Sequence, residues 1–333
     1  MGEFCVQPKG RREIKLPLTR IQIALRAIWI TALLVLSACA GKGTLVKISS
    51  SSTNAAYDVF LEADYAYVTN NDGVDIFDVS RVERPLRVGE IPTGTTFGVF
   101  VTNDLVYIAG ETGLFIGDVR DPTDPRRLGE YASEGAPEQV RVDGSYAYLA
   151  TSMGLEIVDV RDPGSPSLTG IYNSGGGAKS VAVYDSYVYL ANPKVGLEVI
   201  DVSIPSSPQK ISTIYGTQGA WDIHIHDELA FVGCHYAGIR IIDLSDSEAP
   251  EVIGRFDDDD GGEALGVWGD REYLFVADNF GIEVLDITDP AHPFEIGEYE
   301  KVNGAHDLYV DGTLVYVAEG KKGLIILEFI DRG

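Results

Sequence analysis

The stretch Tyr146-Ala147-Tyr148-Leu149-Ala150-Thr151-Ser152-Met153-Gly154-Leu155-Glu156-Ile157-Val158-Asp159-Val160-Arg161-Asp162-Pro163 decides the fold. Residues 146–150 alternate with period two and are rich in aromatics, which predicts a β-strand. A short polar turn with a glycine follows. Residues 154–160 are almost continuously apolar over the length of a strand, as expected for a sheet covered on both faces. Asp162-Pro163 then bars the strand from continuing. The phrase therefore reads strand, turn, strand, turn.

The same phrase recurs seven times. Its aromatic marks are Tyr67, Tyr107, Tyr148, Tyr189, Phe231, Phe275 and Tyr316, spaced 40 to 44 residues apart. Glycines open the third run at Gly73, Gly113, Gly154, Gly196, Gly238, Gly281 and Gly323. Before each aromatic run lies a segment of the type Ala178 to Val183. After each Asp-Pro turn comes a short fourth run such as Leu128-Gly129-Glu130-Tyr131. A period of about 40–45 residues carrying four short strands is the signature of a β-propeller. The reading is all-β: a seven-bladed β-propeller of four-stranded antiparallel blades. The last repeat has no fourth run, whereas Thr44-Leu45-Val46-Lys47-Ile48 stands unused ahead of the first repeat, followed by a Ser-rich loop. This N-terminal strand is expected to complete the last blade and to remove an edge that invites aggregation.

Phrases such as Gly-Leu-Glu-Ile-Val-Asp-Val-Arg-Asp-Pro (154–163) and Gly-Leu-Glu-Val-Ile-Asp-Val (196–202) resemble the LVIVD repeat of exported bacterial and archaeal propellers. The resemblance spans about residues 44–330. It implies an exported propeller and no particular reaction. Arg81-Val82-Glu83-Arg84-Pro85 and Leu327-Glu328-Phe329 depart from the pattern, both beside the expected closure.

Residues 1–38 differ in kind. A basic stretch (Lys9, Arg11, Arg12, Lys15, Arg20, Arg26) precedes the apolar run Ala27 to Leu36. That order predicts a secretory signal peptide, with an apolar core too short for a membrane span. Leu36-Ser37-Ala38-Cys39 resembles the lipobox of bacterial lipoproteins, which implies cleavage before Cys39 and its lipidation. Ala40 stands where an Asp would resemble an inner-membrane retention signal, so the resemblance implies the outer membrane or cell surface. The expected organisation is a signal peptide at 1–38, a lipidated Cys39 and tether over 39–43, and a propeller over 44–333.

The chain holds 51 Asp+Glu against 26 Lys+Arg, a net charge of −25. Six of those basic residues and two of the acidic ones belong to residues 1–38, so the remainder is more acidic still. Such a surface repels nucleic acid, and no basic stripe is present to bind it. The chain has three cysteines, Cys5, Cys39 and Cys234. With Cys5 removed and Cys39 acylated, Cys234 has no disulfide partner.

Residues shared by every blade serve the architecture. Asp78, Asp118, Asp159, Asp201, Asp243 and Asp286 end the third run six times and are expected to set its turn. Function is expected where the repeat varies. On the segment entering each first strand, one column reads Tyr57, Phe97, Glu138, Lys179, Trp221, Leu265, His306. With His235, Tyr236 and Phe280 from neighbouring loops, it predicts an aromatic and charged rim on one face of the ring. Aromatic anchors in a polar rim suit recognition of an envelope protein or glycan by a monomeric ring.

The next column contains Asp58, Asp222 and Asp307. These carboxylates either cap neighbouring loops or hold Ca²⁺ through oxygen ligands. Asp257 and Asp259, in the acidic run 257–260, are a second candidate for Ca²⁺, although the run lacks the EF-hand pattern. No other cofactor is expected. The alternative function is a metal-assisted hydrolase or lactonase at the channel mouth, with His306 as general base. Gly175 to Ser180 mimics a phosphate loop but lacks the glycine before Lys179 and the following helix.

Overall fold

The computed structural model describes residues 43–257, 261–302 and 304–332. The expected signal peptide, Cys39, the tether up to residue 42, and Asp258 to Asp260 lie outside the described residues. Among those described, 28 strands form seven four-stranded antiparallel sheets. Blades 1 to 6 each use four consecutive strands. Blade 7 combines Ala305–Asp311, Leu314–Glu319 and Gly323–Asp331 with Gly43–Ser51 from the other end of the chain. First strands of successive blades touch, and that of blade 7 touches that of blade 1, so the ring closes.

The closing strand is longer than the sequence suggests. Ser49, Ser50 and Ser51, expected in a loop, pair with Ile326, Ile325 and Leu324. A bulge between Lys47 and Ser49 shifts the register so that the serines continue the ladder.

The core consists of seven layers between blades. The aromatic mark of each blade lies in a cluster with residues of the next: Tyr148 with Val181 and Leu190, Tyr189 with Ile223 and Val232, and Tyr316 with Ala56 and Val59. All seven marks are buried. Each such side chain contributes roughly 1.5–3 kcal/mol through burial, which explains why the mark recurs with the blade. The six repeated aspartates do set the turns. Each accepts the backbone N–H two residues on, as Asp159 does from Arg161 at 3.0 Å and Asp201 from Ser203 at 2.8 Å.

Candidate functional site

The first strands of blades 2, 3 and 7 carry a bulge at their entrance, and the other four blades bond the residue just ahead of the strand. In blades 2, 3 and 7 the pairing skips Phe97, Glu138 and His306. In blades 4, 5 and 6 the N–H groups of Lys179, Trp221 and Leu265 donate to Ala191, Gly233 and Ala277, the residues paired with their successors. Tyr57 does the same to the Thr69 carbonyl at 3.2 Å. Adjacent side chains of a regular strand point to opposite faces, but two residues set against one are re-aimed. Both columns singled out in the sequence therefore reach the channel mouth.

There they line a cavity of about 160 Å³. All seven members of the first column surround it: Tyr57, Phe97, Glu138, Lys179, Trp221, Leu265 and His306. The Tyr57 ring stands 5.8 Å from Phe97 and 5.6 Å from His306. Its hydroxyl donates to Asn71 at 2.8 Å. Across the mouth, Lys179 pairs with Glu138 at 2.7 Å and lies 4.9 Å from the Trp221 ring centre. His235 continues this side, 5.1 Å from Trp221 and 4.2 Å from Tyr236. It adopts φ = 50°, an uncommon conformation for a non-glycine residue, and its ring lies 3.4 Å from the Glu263 carboxylate. His306 is exposed at the rim, yet the protein around its ring lowers its pKa, with Glu319 opposing the shift. Phe280 does not join the mouth. It lines a separate cleft with Glu298 and Tyr299.

Beneath the rim the second column forms a waist. Asp58 accepts the Val99 N–H of the next blade at 2.7 Å and the Gln139 side-chain amide at 3.1 Å. Gln139 reaches Asp58 past blade 2 because Gly98 stands between them; a Cβ there would lie 2.8 Å from the Gln139 Cα. Asp222 accepts the Val267 N–H at 2.9 Å. Buried Ser180 sits beside Asp222, its hydroxyl short of full hydrogen-bond geometry. Gly266 likewise leaves room for Asp307.

Asp307 is half-buried and lines both the mouth cavity and the larger cavity beneath it. Burial, then the Asp58 carboxyl, raises its pKa well above the usual range. The neighbouring Asp58 adds to that shift, so the protonated form of Asp307 is favoured. Burial also raises Asp222. Among the described residues, no three His, Cys, Asp or Glu side chains are arranged to hold a metal ion. Asp257 pairs instead with Arg240 at 2.8 Å, and Asp259 lies outside the described residues. Cys234 is buried and its thiol is pushed up to about 12, mainly by that burial, so the nearby His235 does not activate it.

Two residues below the waist, the same strands place Phe60, Phe100, Arg141, Ala182, His224, Trp268 and Tyr309 around the channel. This layer was readable in the sequence as the waist column advanced by one strand period. The variable loops drew attention to the rim instead. His226 lies at the far opening and His224 in the channel wall.

Seven segments match the LVIVD repeat: residues 54–90, 93–133, 134–174, 175–215, 218–258, 261–301 and 304–328. No curated protein matches the sequence. Among solved structures, the chain is similar to the β-propeller domain of Cps50 (Swd1) from Myceliophteria thermophila. The TM-score is 0.66 at 14% identity, over 85% of this chain and 98% of that one. It is also similar to the computationally designed Ika8 protein, with a TM-score of 0.64 at 9% identity, over 86% of this chain and 100% of that one. At these identities the likeness shows the fold alone.

Proposed function

The chain belongs to the LVIVD repeat family, and we propose that it is a rigid binding or assembly module, lipid-anchored at the cell envelope, whose channel mouth receives a protein or glycan. One observation carries this reading. From the same entrance position of each blade, seven different side chains face one opening. A repeated scaffold with a varied rim is how stiff frameworks display recognition residues. Trp221, flanked by Lys179 and His235, offers an aromatic face in a polar setting, as binding anchors do. The lipobox resemblance at Leu36 to Cys39 supports the envelope location.

Metal-assisted hydrolysis at the same mouth is less well supported. Asp58 and Asp222 already accept N–H groups of the next blade, and burial together with the neighbouring Asp58 disfavours the ionised form of Asp307 that a metal would need.

The test is crosslinking in cells, comparing the native chain with Trp221→Ala plus His306→Ala. A partner captured by the native chain and lost from the variant supports the rim. A partner that both chains capture equally overturns it. Cys39→Ser is expected to release the protein from the membrane fraction; unchanged membrane association would count against the lipid anchor.

A further inference from the structure

Beneath the waist the channel widens into a chamber of about 430 Å³, separate from the mouth. We propose that this lower chamber binds a small planar carboxylate, an aryl acid, with its carboxylate on Arg141 and its ring over Ala182.

The anion preference rests on Arg141. Its guanidinium donates from Nη1 to the Val140 carbonyl at 2.9 Å and lies 5.7 Å from the Phe100 ring centre. Among the described residues it forms no ion pair, whereas Arg87, Arg120, Arg161, Arg240 and Arg271 each do. Asp222 senses its charge without touching it. A guanidinium has five N–H donors in a fork that matches a carboxylate, and one of its bonds here is spent on backbone. Asp58, Asp143, Asp222 and Asp307 also line the chamber. Asp58 and Asp222, however, accept N–H groups of the next blade, and none of the four forms an ion pair with Arg141 among the described residues. Guanidinium donors are thus left for an incoming carboxylate.

The flat shape follows from the walls. Phe60 stands 5.0 Å from Phe100, and His224 lies 5.2 Å from Trp268 at an interplanar angle of 33°. Such walls favour another ring, stacked or edge-on. Ala182 is the one small side chain of this layer, between Arg141 in blade 3 and His224 in blade 5. Ala182 and Arg141 line the chamber from neighbouring blades, so a larger side chain at 182 would take room from it. Burial holds His224 neutral, with a pKa lowered to about 3, so Arg141 is the fixed cation of the chamber.

The test titrates the protein with benzoate and its neutral isostere benzamide, by calorimetry and tryptophan fluorescence. Benzoate should saturate, with benzamide about tenfold weaker or more, the loss of a charge-assisted pair. Arg141→Gln should lose the preference for benzoate over benzamide. Ala182→Leu should take up that room and weaken benzoate at least about tenfold while the thermal midpoint stays within a few degrees. The rim variant Trp221→Ala plus His306→Ala should bind benzoate as the native chain does, so this site and the rim stand or fall separately. Failure of both benzoate and indole-3-carboxylate to saturate in the millimolar range overturns the proposal. So does equal binding of benzamide, or a folded Ala182→Leu chain that binds like the native one. If Arg141→Gln does not fold, the Ala182→Leu result decides.

Discussion

Burial and the neighbouring Asp58 hold the Asp307 proton well above the ordinary aspartate range, whereas burial drives His224 from 6.5 to about 3. The two shifts act on stability with opposite sign. Folded Asp307 binds its proton more tightly than the unfolded chain does. Its contribution is therefore full below pH 3.8 and is lost as pH rises through the raised folded value. Folded His224 binds its proton less tightly, so its contribution is present above pH 6.5 and is lost as pH falls toward about 3. Asp307→Asn is expected to remove the decline on the alkaline side of a urea-midpoint profile, and His224→Phe the decline on the acid side. A profile unchanged in either variant would mean that the group titrates normally. The sequence shows the aspartates as a column, because the strand period is regular. It does not show which one keeps its proton. That depends on Gly266 and Gly98 admitting their neighbours across three blades, a tertiary fact with no local signal.

Four of the seven blades are joined to the next by a small device that the repeat spells out in two distant places. Gly89, Gly129, Gly170 and Gly254 in the fourth strands lie against the carbonyls of Pro122, Pro163, Pro205 and Pro290 in the following blades. A Cβ at any of the four would collide with that carbonyl. Where the glycine position holds Ser212, the proline position of the next blade holds Ser247. Where it holds Ser49, the next blade offers Val82, whose carbonyl accepts the Ser49 hydroxyl at 2.5 Å. The departure at Arg81-Val82, beside the closure, is thus one half of a matched exchange. Gly170→Val is expected to cost about 1–3 kcal/mol by forcing blades 3 and 4 apart. Urea denaturation measures this, and a midpoint equal to the native one would refute the seam. Strands were legible from alternation and the turns from Asp and Pro. The bulges that turn two consecutive residues to the mouth were not, because a bulge is a property of pairing and leaves no composition signal here.

Seven layers between blades share the core, so no blade buries its apolar faces without neighbours on both sides. The strand Gly43–Ser51 therefore carries weight beyond its length. Leu45 is buried with Ile296 and Phe329, between blades 6 and 7. Leu45→Asp should dislodge the strand, bare the edge of Gly323–Asp331 and produce association through that edge, seen as higher-mass species in size-exclusion chromatography. A monomeric, equally stable variant would show that closure does not depend on this strand. Blade number and closure were legible because both are matters of counting periods. Gly43 pairs with Asp331, so the two ends of the ring depart from one point. Tension drawn between them would meet the ladder bonds one after another, as the slider of a zip meets its teeth. A pull on its own two ends thus opens the ring at the pair that closes it.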